Sequence, residues 1–289
     1  VKPQSINYKI YEKRAHTNKF RLQIQTELAL NFIERHAAEP DPFFLYLAYY
    51  GPHSPLNAPK SLTDQVLSVE ALAAKGYDNT KKPYTNRTNF ARPYTEAEVR
   101  QQGLALLKGI DNGVGKIIQR LEKSGELDNT ILFFMGDNGA PLGTKSWDGS
   151  VNDPWIGSKG IILEGGARVP YFVYWKGVIE PQVFKKAVNT LDAGATAVAL
   201  AGSDPSKDSM LDGVDLMPFL TGKNQREPHR YIYQRYMNTA AIISGTHKFM
   251  THENGEELLF DVSLAAPGKH DADKEFHETV NLINKLPEK

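Results

Sequence analysis

Cysteine is missing altogether from the 289 residues, which excludes disulfides, thiolate metal ligands and a cysteine nucleophile within them. No apolar run approaches the ~20 residues that a membrane-spanning helix needs, and the opening VKPQSINYKIYEKR lacks the apolar centre of a signal peptide. Charge of one sign is not in excess either. The 34 Lys and Arg balance 34 Asp and Glu, so neither a nucleic-acid partner nor an anionic membrane surface is indicated. A phosphate-cradling loop is also absent, because Gly143-Thr144-Lys145-Ser146 and Gly157-Ser158-Lys159-Gly160 both lack its Gly-Lys-Ser/Thr ending. What remains has room for one large domain and a small one, at about 100–200 residues per domain.

The stretch 128–170 organises the rest. A short apolar run, 131–135 (ILFFM), delivers Asp137-Asn138 into a glycine-flanked loop, and a second glycine loop presents Lys159 ahead of the next apolar run, 168–175. Continuous apolar runs of this length read as strands buried on both faces, and open parallel sheets hold their ligands beyond the carboxyl ends of such strands. Asp137, Asn138 and Lys159 are therefore the first candidates. A similar run, 43–50 (FFLYLAYY), leads into Gly51-Pro52-His53-Ser54-Pro55 and sets His53 at a strand end.

Helices are predicted around these runs. Phe20, Ile24, Leu28 and Phe32 recur every fourth residue within 17–36, with Ile33 beside them. Thr95 and Glu98 form a capping box ahead of the stripe Val99, Leu106, Ile110, Val114, Ile117 and Leu121, which ends near Gly125. The order strand, helix, strand predicts parallel pairing of 43–50 with 130–135. Residues 56–94 read as a long surface excursion that includes the glycosylation-type triplet Asn86-Arg87-Thr88, and 192–201 as an alanine-rich helix. After residue 223, short runs at 231–236, 240–244, 248–251 and 257–262, punctuated by Ser244-Gly245 and Asn254-Gly255, predict an antiparallel meander. A last helix at 273–286 would pack on it through Phe276, Val280 and Ile283. The domains so drawn are 1–222 and 223–289.

Singly, each candidate has an ordinary reading. Asp-Asn-Gly makes turns, a histidine between prolines or a lysine between glycines is common in loops, and Gly165-Gly166-Ala167-Arg168 reads as a tight turn with Arg168 bonded to nearby backbone. Trp155 either lines a pocket or is a half-buried aromatic at the base of a loop. Convergence singles them out: His53 and Asp137 each follow an expected core strand, and Lys159 lies on a loop able to reach the same sheet edge.

Four separated blocks, PFFLYLAYYGPHSPLNAP, GIDNGVGKIIQRLEKSGELDNTILFFMGDNGA, GSKGIILEGGARVPYFVYWKG and LDGVDLMPFLTG, resemble in order and spacing the later part of the type I sulfatases. The resemblance implies the α/β, alkaline-phosphatase-like fold, with a mixed, mostly parallel sheet between helices and a small C-terminal antiparallel sheet carrying a packed helix. It implies hydrolysis of a sulfate ester of a sugar or an aryl group, in the periplasm or outside the cell. Carried over by position, Asp137 and Asn138 would be ligands of a divalent cation, usually Ca2+. His53 would contact the ester and protonate the leaving oxygen, and Lys159 would bind the sulfate. Hard oxygen donors suit such a cation, and a compact ammonium suits an anionic tetrahedral centre.

The family's formylglycine motif, C/S-x-P-x-R, and the aspartate pair that completes its metal site are not found here. Ser203-Asp204-Pro205-Ser206-Lys207 comes nearest, with lysine where arginine is required. The chain therefore reads as the C-terminal part of such a hydrolase, its missing N-terminal segment being a partner. The alternatives are a non-catalytic relative that binds sulfated ligands, and a phosphoester or phosphonate hydrolase of the same superfamily.

Overall fold

The computed structural model describes residues 19–37, 39–53, 55–80, 94–141, 149–152, 154–207, 210–251 and 254–262. The chain forms two compact units, Val1–Thr130 with Leu142–Val151, and Ile131–Pro141 with Asn152–Lys289.

The first unit is helical among its described residues, with α1 (Arg21–His36), α2 (Lys60–Thr63), α3 (Val69–Ala73) and α4 (Glu96–Ser124). Both ends of α4 are closed as predicted. Thr95 Oγ1 accepts from the Glu98 N–H at 3.2 Å, Glu98 Oε2 accepts from the Thr95 N–H at 2.8 Å, and Gly125 takes φ 78°, a left-handed stop that side chains resist. Its stripe faces inward, with Val99, Leu106 and Ile110 buried in one cluster with Leu22, Leu56 and Tyr94. Residues 56–80 differ from the excursion predicted there. They carry α2 and α3, each too short to show a period, pinned by the buried Leu56, Leu62 and Leu72.

Helix α1 keeps part of its predicted stripe. Ile24 and Ile33 are buried as expected, Leu28 and Phe32 are only half-buried, and the buried face widens to Leu22, Gln25, Thr26 and Ala29, where the two polar residues find partners inside. Gln25 Nε2 donates to the Ala48 carbonyl at 2.6 Å and its Oε1 accepts from the Tyr50 N–H at 3.3 Å. Thr26 Oγ1 donates to the Leu22 carbonyl at 2.9 Å and lies 2.8 Å from the Tyr49 hydroxyl. Residues 43–50 join neither sheet among the described residues. At the end of the run, backbone groups of Ala48 and Tyr50 meet a helix side chain and not a neighbouring strand. The run is not buried on both faces either, since Phe44 and Tyr46 are 70% and 75% exposed, and the predicted parallel pairing of 43–50 with 130–135 is corrected accordingly.

Close packing of α1 on α4 depends on Gly113. A Cβ there would stand 2.4 Å from the Tyr49 hydroxyl and 2.6 Å from Thr26 Oγ1. Gly113→Ala is expected to lower stability by about 1–3 kcal/mol through overpacking, read as a fall in the urea midpoint; an unchanged midpoint would show that this contact yields freely.

In the second unit, β1 (Leu132–Met135) pairs antiparallel with β2 (Tyr171–Tyr174), Leu132 opposite Tyr174 and Met135 opposite Tyr171. Both sheets found among the described residues are antiparallel, where a mostly parallel arrangement was predicted. Parallel neighbours need a long crossover, usually a helix, and between these two strands the described chain holds only the four-residue α5 (Glu164–Ala167). One face of the ribbon exposes Phe134, Phe172 and Tyr174, with the two phenyl rings 6.2 Å apart, so β1 and β2 are half-buried and not covered on both sides.

Beyond α6 (Asp192–Leu200) and α7 (Met217–Leu220), the meander appears as predicted, with β3 (Ile232–Tyr236), β4 (Thr239–Ser244), β5 (His247–Thr251) and β6 (Glu257–Asp261) in sequential antiparallel order. Asp192, wholly buried at the start of α6, accepts from the N–H groups of Asn189 and Val214 at 2.8 and 3.0 Å and lies 2.9 Å from His229 Nε2. Burial, reinforced by the Asp192 carboxylate, pushes the pKa of the Tyr171 phenol up. The predicted helix at 273–286 and the triplet Asn86-Arg87-Thr88 lie outside the described residues.

Candidate functional site

The first apolar strand, β1, ends at Met135, and the turn that follows is held by backbone. Gly136 N–H donates to the Pro170 carbonyl at 3.0 Å and Gly139 N–H to the Gly166 carbonyl at 2.9 Å. The approach at Gly139 is so close that a Cβ would fall 1.7 Å from the Gly165 carbonyl oxygen. Between these anchors Asp137 is exposed. Its Oδ1 accepts from the Asn138 N–H at 2.9 Å, and Asn138 Nδ2 donates to the Gly139 carbonyl at 2.9 Å. The Asn138 amide oxygen, whose nitrogen is thus fixed, is left as an acceptor beside the carboxylate.

The second glycine loop is fastened to the first. Lys159 N–H donates to the Ala140 carbonyl at 3.0 Å, and Asn152 adds three bonds at the same junction: Oδ1 accepts from the Ala140 N–H at 2.8 Å, while Nδ2 donates to the carbonyls of Ala140 at 3.2 Å and Gly157 at 2.9 Å. The Lys159 side chain is exposed. Beneath these loops, Gly165 N–H donates to the Ile156 carbonyl at 2.7 Å, and a Cβ on Gly166 would fall 2.0 Å from the Ile161 carbonyl oxygen.

A charged strut supports this layer. Lys248 of β5, almost wholly buried, donates to the Ile162 carbonyl and to Glu164 Oε1 at 3.0 Å. The other oxygen of Glu164 accepts from Arg168 Nε at 2.8 Å. Arg168 in turn donates to the Val262 carbonyl at 2.7 Å and lies over the Trp155 ring at 4.1 Å. Burial pulls the Lys248 pKa down while the Glu164 carboxylate opposes the shift. Trp155 is half-buried under Arg168.

The structure thus brings Asp137, Asn138 and Lys159 onto two joined loops, with Trp155 at their base. His53 belongs to the first unit, where its N–H donates to the Tyr50 carbonyl at 3.2 Å and its exposed ring meets the Tyr50 ring edge-on at 5.5 Å.

Comparison with known proteins decides the family. The sulfatase family model matches residues 6–203. The chain belongs to the sulfatase family. This sulfatase chain is 30% identical over 240 residues to the uncharacterized sulfatase YdeN of Escherichia coli, covering 80% of this chain and 38% of the relative. It is 32% identical over 252 residues to human N-acetylgalactosamine-6-sulfatase, covering 86% and 42%. Among solved structures, Ps i-CgsB is similar with a TM-score of 0.70 at 25% identity, over 97% of this chain and 61% of that one. The fold is the alkaline-phosphatase-like fold of the sulfatases, and the chain spans about two fifths of the length of these curated relatives.

Sulfatases in general use a metal and a formylglycine. The donors on this chain's loops fit the first in kind: the Asp137 carboxylate and the Asn138 amide oxygen, from neighbouring residues, are hard oxygen donors of the sort that Ca2+ takes. Such an ion takes six to eight oxygens, and among the described residues no group of three or more His, Cys, Asp or Glu is arranged to hold one. Asn152, which joins the two loops of this sulfatase, escapes sequence reasoning. An asparagine ahead of Asp-Pro signals a turn and nothing more.

Proposed function

We propose that this chain is the C-terminal part of an enzyme that hydrolyses the sulfate ester of a sugar or aryl compound in the periplasm or outside the cell. Residues 1–222 then belong to its large domain and 223–289 to a small antiparallel subdomain. The observation that carries the reading is the fastening of the Asp137-Asn138 turn to the Lys159 loop through Ala140, which sets two oxygen donors and one ammonium on a shared support. The name of the human relative specifies a sulfated amino sugar, and that supports a sugar substrate. A bound Ca2+ would polarise the ester's sulfate oxygens. Asp137 and Asn138 hold that ion, Lys159 binds the anionic group, and Trp155 walls the pocket. For His53 the support is its match to the family block and its exposed ring; its role is to give a proton to the leaving oxygen.

Assayed as these 289 residues, the protein is expected to show no aryl sulfate turnover above background, because covalent catalysis without its nucleophile retains little beyond binding. Joined to the upstream segment of its gene bearing C/S-x-P-x-R, it should gain activity. Turnover by the purified 289 residues at the rate of a complete family member would overturn the proposal, and so would an upstream reading frame without that motif.

The roles of His53 and Lys159 are separable in the complete enzyme. His53→Ala should slow sugar sulfates by about 10²–10⁴-fold and activated aryl sulfates far less, because only a poor leaving group needs the proton in the transition state. Lys159→Ala should slow both alike. Equal losses for both substrates in the His53 variant would make it an anion anchor instead.

A further inference from the structure

We infer that Asn152 is a positioning residue whose side chain sets the spacing between the Asp137-Asn138 turn and the Lys159 loop. Both backbone polar groups of Ala140 meet this side chain, the N–H at 2.8 Å and the carbonyl at 3.2 Å, and its Nδ2 also reaches the Gly157 carbonyl at 2.9 Å. Lys159 N–H shares the Ala140 carbonyl at 3.0 Å. One amide therefore grips the backbone of Ala140, two residues after Asn138, and that of Gly157, two residues before Lys159.

The glycine contacts at Gly139 and Gly166 fix each loop against the layer beneath, but they do not tie one loop to the other. Asn152 is itself held, since its carbonyl accepts from the Trp155 N–H at 2.7 Å, and Trp155 lies under Arg168. The charged strut thereby ends on the residue that spaces the two loops.

The chemistry of the grip predicts a pattern that a merely structural residue would not give. An amide at 152 both accepts and donates; a carboxylate only accepts; alanine does neither. In the 289-residue chain, amide exchange followed by mass spectrometry should show exchange at Ala140 and around Lys159 faster by about tenfold or more in Asn152→Ala, since an exposed amide exchanges as its local opening allows. In Asn152→Asp, Ala140 should stay protected while the Lys159 loop opens, because the carboxylate keeps the acceptor and faces the Gly157 carbonyl without a donor. Exchange in β3–β6 should not change in either variant. The inference is overturned if both loops exchange as in the parent chain, if the meander accelerates equally, or if the aspartate and alanine variants behave alike.

The binding consequence rests on the proposed function. Calcium and inorganic sulfate, titrated together by calorimetry into the chain joined to its upstream segment, should strengthen one another by roughly 5–150-fold, the usual span of coupling between sites, and Asn152→Ala should remove the coupling. Coupling that survives in that variant, with exchange accelerated, overturns the inference. Absence of coupling in the joined protein with Asn152 intact withdraws the proposed function instead, and the exchange pattern alone then decides the place of Asn152.

Discussion

Lys248→Ala is expected to destabilise the second unit by about 3–5 kcal/mol, the usual consequence of removing one partner from a buried ion pair. The Lys248 side chain is 1% exposed and that of Glu164 15%, so little water replaces the lost ammonium. The truncation leaves one oxygen of Glu164 facing a cavity, deprives the Ile162 carbonyl of its donor, and empties the space filled by the lysine stem. Urea unfolding followed by circular dichroism gives the number. Lys248→Met separates the contributions, because it keeps the stem and removes only the charge; it should recover the packing part and leave the Glu164 part. A loss below about 1 kcal/mol in the alanine variant, the range of exposed pairs, would mean that solvent reaches the pair and that the strut bears no load.

In the complete enzyme, Asp137→Ala should reduce activity by more than about a hundredfold, because even residues that only orient a metal's ligands are worth 10–100-fold. Stability should hardly change. Asp137 is exposed, and its bond to the Asn138 N–H lies within one turn, so the melting temperature should stay within a degree or two while calcium binding weakens. Activity that persists at saturating calcium, with metal affinity unaltered, would remove Asp137 from the site.

How much of this was legible varies with the kind of physics involved. The meander could be read strand by strand because each run is short and half-apolar and two of its three turns carry the glycines Gly245 and Gly255, all local signals. Helix α4 announced itself through Thr95, Glu98 and Gly125, also local. Residues 43–50 misled because an apolar run records that a segment is apolar and not what covers it; Gln25, buried in α1 and bonded to Ala48 and Tyr50, is a long-range partner without a sequence signature. The same distinction holds at the loops. Asp137, Asn138 and Lys159 stood out as polar groups punctuating apolar runs, whereas Asn152 acts through backbone groups brought near by folding. Neither the pair Lys248 and Glu164 nor the contact of Asp192 with His229 had any signal, since charged residues read as surface until burial is known.

The glycines of the loops carry a consequence for inherited variation. Any missense change at a glycine codon adds a Cβ, and at Gly139 and Gly166 that atom would lie 1.7 and 2.0 Å from a carbonyl oxygen. No replacement is mild there, not even alanine or serine. At Gly115 and Gly194, by contrast, an added Cβ would meet nothing within 4 Å. A saturation screen of alleles should therefore return two classes of the same amino acid: positions 139 and 166 intolerant of every substitution, and positions 115 and 194 accepting alanine and serine. Scoring that weights all glycines of this chain alike would misjudge both classes.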